Sequence, residues 1–287
     1  MISLRSSTGS EVLVAPHWGG GLCAWRCRGR DVLRPAPVAV TDPLQLASFP
    51  LVPFSNRIAQ GRFHHAGRLI QLAPNWTRDP HTIHGCGWTL PWSVADCTPS
   101  SARLELEHEA GDWPWSFRAE QSIRLAADVL ELRLALTNAG PEPMPGGLGQ
   151  HPCFPRPAGT VLEATTRSVW LTGPTGLPER CIEVPEAWRF DGQRSLDGLA
   201  LDHVFGGWNG VAVLRWPDDS CIRISAGTAA AFLVVYAPAS HALVCLEPVT
   251  HMTDAVNRPE PPALTGYRLL CAGETLQLSL RMEFHDL

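Results

Sequence analysis

The chain has 287 residues, of which 45% are hydrophobic and only 18% charged, with 25 Gly and 26 Pro. So many turn formers and so few charges argue against long surface helices, and the apolar share with a net charge of −5 argues against disorder. The 23 basic residues are all Arg and the isoelectric point is near 6.1, so no basic field invites nucleic acid.

In chain order, Met1–Ser10 lacks the apolar core of a signal peptide. His17 and Trp18 lead into Gly19–Gly21, which without GxxxxGK[ST] or GxGxxG reads as a tight strand connection, not a phosphate loop. Ala102–His108 alternates Leu with charge, and Asp112–Trp115 (DWPW) reads as a loop anchored in the core. Ser122–Leu125 and Val129–Thr137 alternate in the same way, and Ala126-Ala127-Asp128 between them predicts a hairpin turn. Ala229–Tyr236 and Ala242–Leu246 are continuously apolar and predict central strands buried on both faces. Leu276–Met282 returns to strict alternation.

Turn clusters at Asn138–Gly147, Pro155–Gly159, Gly173–Pro178 and Pro259–Pro262 separate these runs without marking one linker. There is no βαβ alternation, repeat or low-complexity tract, so a single large antiparallel sandwich over 1–287 is expected. No window approaches 18 apolar residues without a charge or Pro, so no membrane helix is expected. The nine Cys form no CxxC pair, which predicts buried free thiols in a reducing, cytoplasmic setting. No heptad or apolar helix suggests an interface, and the oligomeric state stays open.

Polar residues that break the strand alternation gather in five segments. These are Pro53–Phe63 (PFSNRIAQGRF), Asn75 with His81–Trp92 (HTIHGCGWTLPW), Gly149–Pro155 (GQHPCFP), Leu201–Gly210 (LDHVFGGWNG) and Leu246–Pro259 (LEPVTHMTDAVNRP). Together, from Asn56 to Asn257, they resemble the aldose 1-epimerase (galactose mutarotase-like) family in order and spacing. The last two motifs point to a bacterial branch. The resemblance implies an all-β fold, a large antiparallel β-supersandwich with an open sugar-sized cleft. It implies an isomerase with a small-molecule sugar as partner, no metal and no other cofactor.

Mutarotation needs one group to take the anomeric hydroxyl proton and another to protonate the ring oxygen. By the resemblance, Glu247 is the base, His151 the acid and His84 the second histidine near the ring oxygen. Arg57 and Asp202 are implied to hold sugar hydroxyls, with Asn56 supporting the loop and Trp208 offering a face for the pyranose. The family motif HPYF reads HPCF here, so Cys153 stands in place of Tyr. Read without the resemblance, Glu247 could be a structural carboxylate bonded to Arg57 or Arg258, ending its strand at Pro248. His151 could be an ordinary loop histidine, and His84 a metal ligand with His81. Trp208 and Trp88 could pack in the core, as most of the 11 Trp must.

Three functions remain open at this stage. An aldose 1-epimerase acting on glucose or galactose uses all the named residues. A non-catalytic sugar-binding or regulatory protein would use the cleft alone. A hexose-6-phosphate mutarotase would add cations from Arg62, Arg78 or Arg258. His251 and Asn257 are expected near Glu247, and His64 and His65 at the surface. The absence of Lys excludes a Schiff-base route to the open-chain sugar.

Overall fold

The computed structural model describes residues 1–286. Its long strands follow the period-two pattern. Ser101–His108, Phe117–Ala126, Val129–Asn138 and Thr275–His285 each bury every second side chain and leave the rest half-buried or exposed. They form the middle of a nine-stranded sheet, running from Ser93–Thr98 at one edge to Arg194–Ser195 at the other. The hairpin turn expected at Ala126-Ala127-Asp128 is present, with Ala126 paired to Val129 so that the loop is Ala127, at φ 51°, and Asp128.

A second sheet of eight strands runs through Ser168–Thr172, Leu201–Gly206, Phe232–Ala237 and Leu243–Val249, and then to Gly149–Gln150 and Pro50–Leu51. Cys153–Pro155 pairs with Leu243–Val249 on the same flank as Gly149–Gln150. Every named strand pair among the described residues is antiparallel, and Val52 and Gly85 make an isolated parallel bridge. A four-stranded sheet from Ile2–Arg5 to Arg30–Asp31 adds a further wall. One core joins the inner faces, with Leu104, Leu132 and Leu278 from the nine-stranded sheet and Phe205, Leu233 and Leu246 from the other. Trp113 and Trp115 anchor their loop in this core, as expected. Phe49, Trp88, Val204 and Val234 build a smaller cluster on the outer face of the eight-stranded sheet. The architecture is the large antiparallel β-sandwich anticipated from the turn-rich composition.

Two expectations about local structure are corrected. Pro248 does not end its strand. Val234, Leu233 and Phe232 pair with Glu247, Pro248 and Val249, and Leu243–Val249 runs through. The alternation explains this. Leu246 N–H donates to Pro152 O and Thr250 N–H to Leu148 O, so the Pro248 nitrogen faces that flank and its missing donor leaves the other ladder intact. The cysteines are not all buried free thiols either. Cys153 and Cys245 form a disulfide, and Cys97, Cys181 and Cys271 are exposed. Direct cross-strand pairing brought the first two together across 92 residues, which spacing alone could not reveal.

Candidate active site

Strand alternation assembles the site. Asp202, Tyr236, Cys245 and Cys153 lie in one row across four strands, and Val204, Val234 and Glu247 lie in the next. Phe205, Leu233, Val235 and Leu246, at the intervening positions, enter the common core, so the first set points to the outer face.

Glu247 is 2% exposed, and its Oε1 lies 3.2 Å from His151 Nε2. Its Oε2 is buried with no protein partner. Burial pushes the Glu247 carboxyl well above the usual carboxylate range, the Asp202 charge adds to this, and Arg57 opposes it. Burial pushes His151 down to about 4, with Arg34 adding to the fall. Both directions favour an uncharged pair sharing one proton, held by Glu247. The His151 ring is fixed by stacking on Phe49 at 4.5 Å, and its backbone N–H donates to Phe49 O at 3.0 Å.

His84 enters from a short segment clamped by one side chain. Asn75 Nδ2 donates to Ile83 O and Gly85 O at 2.6 and 2.8 Å, and its Oδ1 accepts from Ile83 N–H. Gly85 has φ +72°, and a Cβ there would sit 2.2 Å from Val52 O, so only glycine lets this segment lie against residue 52. His84 Nδ1 accepts from Asn56 N–H at 3.1 Å, which leaves its proton on Nε2. Its ring stands edge-on to His151 with centroids 5.5 Å apart. Burial holds His84 well below the ordinary histidine value, helped by His151 and Arg57, so it is a neutral donor.

Beside this pair lies a cleft of about 770 Å³ whose lining includes Arg57, Arg78, Asp79, Asp202, His203 and Tyr236. That volume suits a small polar ligand. Arg57 Nε is paired with Asp79 Oδ2 at 2.7 Å, and Asn56 Oδ1 accepts from Arg57 N–H and Nη1. Gly176 closes over the guanidinium, since a Cβ there would fall 2.7 Å from Arg57 Nε. Asp202 is raised above its ordinary value chiefly by burial, with Arg57 opposing.

Glu247, His151, His84, Arg57 and Asp202 are therefore brought to one place, and Asn56 stands behind Arg57. Trp208 is not. It packs in the core with Nε1 donating to Val211 O at 2.8 Å, so the expected stacking face is corrected to a structural residue. Trp88 packs on Phe49 and edge-on to His84, with Nε1 on Gly85 O. His251 is pinned between Ser55 N–H and Met252 O, and the exposed Asn257 bonds Asp254 and Arg62 O, so neither lines the cleft. Both ring nitrogens of His81 are bonded, to Gln60 N–H and Thr175 O, which removes the His81–His84 metal reading. Arg258 pairs with Glu260 rather than Glu247. His151, Cys153 and Cys245 place one nitrogen and two sulfurs within 4.8 Å, but the bonded sulfurs have no thiolate to offer a metal.

Three contributors escaped the sequence reading. Asp79 stands two residues before His81, where an acid beside a motif was a usable signal. Tyr236 shares parity with Val234 and could have been placed on the outer face. Phe49 had no signal, because only the fold brings it under His151.

An antiparallel β-sandwich with a buried carboxylate–imidazole pair beside a polar cleft defines a protein equipped for acid–base chemistry on a small polar ligand. Comparison with known proteins narrows this. The aldose 1-epimerase family model matches residues 1–283, and the chain belongs to that family. It is 36% identical over 247 residues to the uncharacterized Escherichia coli K12 protein YphB, covering 82% of this chain and 83% of the other. A crystal structure of an Escherichia coli K12 protein, provisionally designated an aldose 1-epimerase, superposes with a TM-score of 0.91 at 28% identity, covering 99% and 98% of the two chains. Galactose 1-epimerase from Lactobacillus acidophilus NCFM shares the fold, with a TM-score of 0.79 at 18% identity and coverage of 99% and 93%. Among the described residues no helix is long and apolar enough to cross a membrane.

Proposed function

We propose that the chain is a mutarotase, interconverting the α and β anomers of an aldohexose such as glucose or galactose. The observation that carries this reading is the 3.2 Å contact between Glu247 Oε1 and His151 Nε2, with Glu247 Oε2 left unpartnered one row from Asp202. The pair shares one proton. A sugar hydroxyl donating to Oε2, with Arg57 nearby, stabilises the carboxylate and moves that proton across the contact to His151.

Glu247 then takes the proton from O1 as C1=O1 forms and the C1–O5 bond breaks, and His151 delivers its proton to O5. Rotation about C1–C2 presents the other face of the aldehyde. The same two groups, now with exchanged roles, close the ring to the other anomer. His84, protonated on Nε2, donates toward the ring-oxygen side. Arg57, oriented by Asp79 and Asn56, and Asp202 hold hydroxyls through a donor fork and a carboxylate. The reading includes a cytoplasmic site of action, supported by the seven cysteines that remain free, and a single domain over 1–287.

The test is polarimetry on freshly dissolved α-glucose and α-galactose, with calorimetry in parallel. Acceleration should saturate with sugar, and Glu247→Gln should cut kcat at least a hundredfold, in line with loss of a general base. Saturable binding without acceleration would instead establish a non-catalytic sugar-binding protein. Of the three arginines that could hold a phosphate, only Arg78 lines the cleft. Arg62 is bonded to Gln71 and Arg258 to Glu260. Free aldoses are therefore favoured over 6-phosphates, and the same assay on glucose 6-phosphate ranks the two.

A further inference from the structure

The disulfide occupies the rung next to the acid–base pair. Cys153 and Cys245 face each other directly, with Cα atoms 4.1 Å apart; Glu247 lies two residues further along Leu243–Val249, and His151 sits in the break between Gly149–Gln150 and Cys153–Pro155. Two-residue alternation and direct pairing put Cys245, Glu247 and Cys153 on one face, and the 3.2 Å contact with Glu247 brings His151 to it. Cys153 Sγ lies 3.6 Å from His151 Nδ1, while Nε2 of the same ring faces Glu247.

This arrangement ties the sulfur oxidation state to the imidazole tautomer. A Cys153 thiol can donate its S–H to Nδ1, which puts the ring proton on Nε2 and blocks the transfer from Glu247 that charges the acid. A disulfide sulfur has no hydrogen and can only accept. The buried ring then favours the Nδ1–H tautomer, and Nε2 is free to take the Glu247 proton that it delivers to O5.

We propose that Cys153 and Cys245 are a reversible oxidation site that sets the tautomer of His151, so that the disulfide protein is the fast mutarotase and the dithiol protein the slow one. The inference rests on the function proposed above. The oxidant is a small peroxide, because Cys153 is only 4% exposed and Cys245 only 1%. His151 Nδ1 takes the Cys153 proton, and the thiolate attacks one peroxide oxygen. The O–O bond breaks, leaving a sulfenic acid and hydroxide, which becomes water with the proton from His151. The Cys245 sulfur then displaces the second oxygen as water and forms the S–S bond. Two electrons pass from the sulfurs to the peroxide, and a dithiol reductant reverses the change by exchange. Cys153 acts here as a positioning residue, since it touches His151 and not the sugar.

The test compares the full chain after dithiothreitol and after hydrogen peroxide, with intact mass, anomer-exchange kinetics on glucose and galactose, and ¹⁵N NMR of the His151 ring. Reduction should add 2 mass units, lower kcat at least tenfold with KM little changed, and move the proton from Nδ1 to Nε2. Cys245→Ser, or Cys245→Ala should the first fold poorly, should show the slow kcat whether or not a reductant is present. Equal kcat in the two states, an unchanged tautomer, or no mass change between treatments would overturn the proposal. If neither form accelerates any aldose while the tautomer still switches, the mutarotase reading fails and the redox coupling stands. Turnover without switching removes the coupling alone.

Discussion

Glu247 and His151 are buried groups held in their less charged forms, and stability should record this with opposite signs. The folded pKa of His151 is about 4, below its ordinary 6.5, so the unfolded chain binds more protons between those values. Its contribution is intact above pH 6.5 and is lost as the pH falls toward 4, by about 3 kcal/mol from this residue alone. His84 and His251, both lowered by burial, act in the same direction. The folded pKa of Glu247 is raised, so its contribution is full below the ordinary 4.5 and is lost as the pH rises through the folded value. Denaturant titrations from pH 4 to 8 should therefore show steep acid destabilisation. They should also show Glu247→Gln, inactive in anomer exchange, becoming more stable than the native chain by a margin that widens toward pH 8. A constant margin across that range would mean that the carboxyl titrates in the folded protein as it does in the unfolded chain.

At the level of elements, the site depends on short connections pressed against strand ends. The segment that carries His84 is set by the Asn75 clamp and by Gly85, whose α-carbon allows no side chain beside Val52 O. Gly85→Ala combines a left-handed φ with a backbone clash. It should cost about 2–4 kcal/mol and impair kcat by displacing His84. Gly67→Ala, at φ +74° in open space, carries the conformational penalty alone and should cost about 1 kcal/mol with activity retained. Melting curves and anomer-exchange rates on the two variants separate backbone strain from site geometry. The same scale shows what was legible in the sequence. The long amphipathic strands declare themselves because one face of each is wet, and the motif segments stand out because polar residues interrupt apolar runs. Strand continuity through Pro248 was hidden, since it depends on which flank the proline nitrogen faces. The Cys153–Cys245 bond and the Phe49–His151 stack were hidden because both join residues distant in sequence. Trp208 was misplaced because a tryptophan beside a motif looks the same whether it faces a ligand or a core.

For the molecule as a whole, the position of the last strand matters most. Thr275–His285 lies between Val129–Asn138 and Cys221–Ala226, joining the sequential hairpins of residues 93–138 to the strands that follow residue 160 in one nine-stranded sheet. The eight-stranded sheet, which carries the site, packs its inner face on that joined sheet through one core. Neither half can complete its layer without the other, so the chain should unfold in a single cooperative transition, as expected for one domain over 1–287. Pairings this distant in sequence also make folding slow. Ending the chain before Thr275 would expose two central strand edges and strip Leu276, Leu278, Leu280, Met282 and Phe284 from the core. Calorimetry should give one transition for the full chain, with van't Hoff and calorimetric enthalpies in agreement. The shortened chain should show no cooperative transition and should aggregate. Two separable transitions in the full chain, or a folded truncated one, would show that the site-bearing sheet stands independently of the sheet behind it.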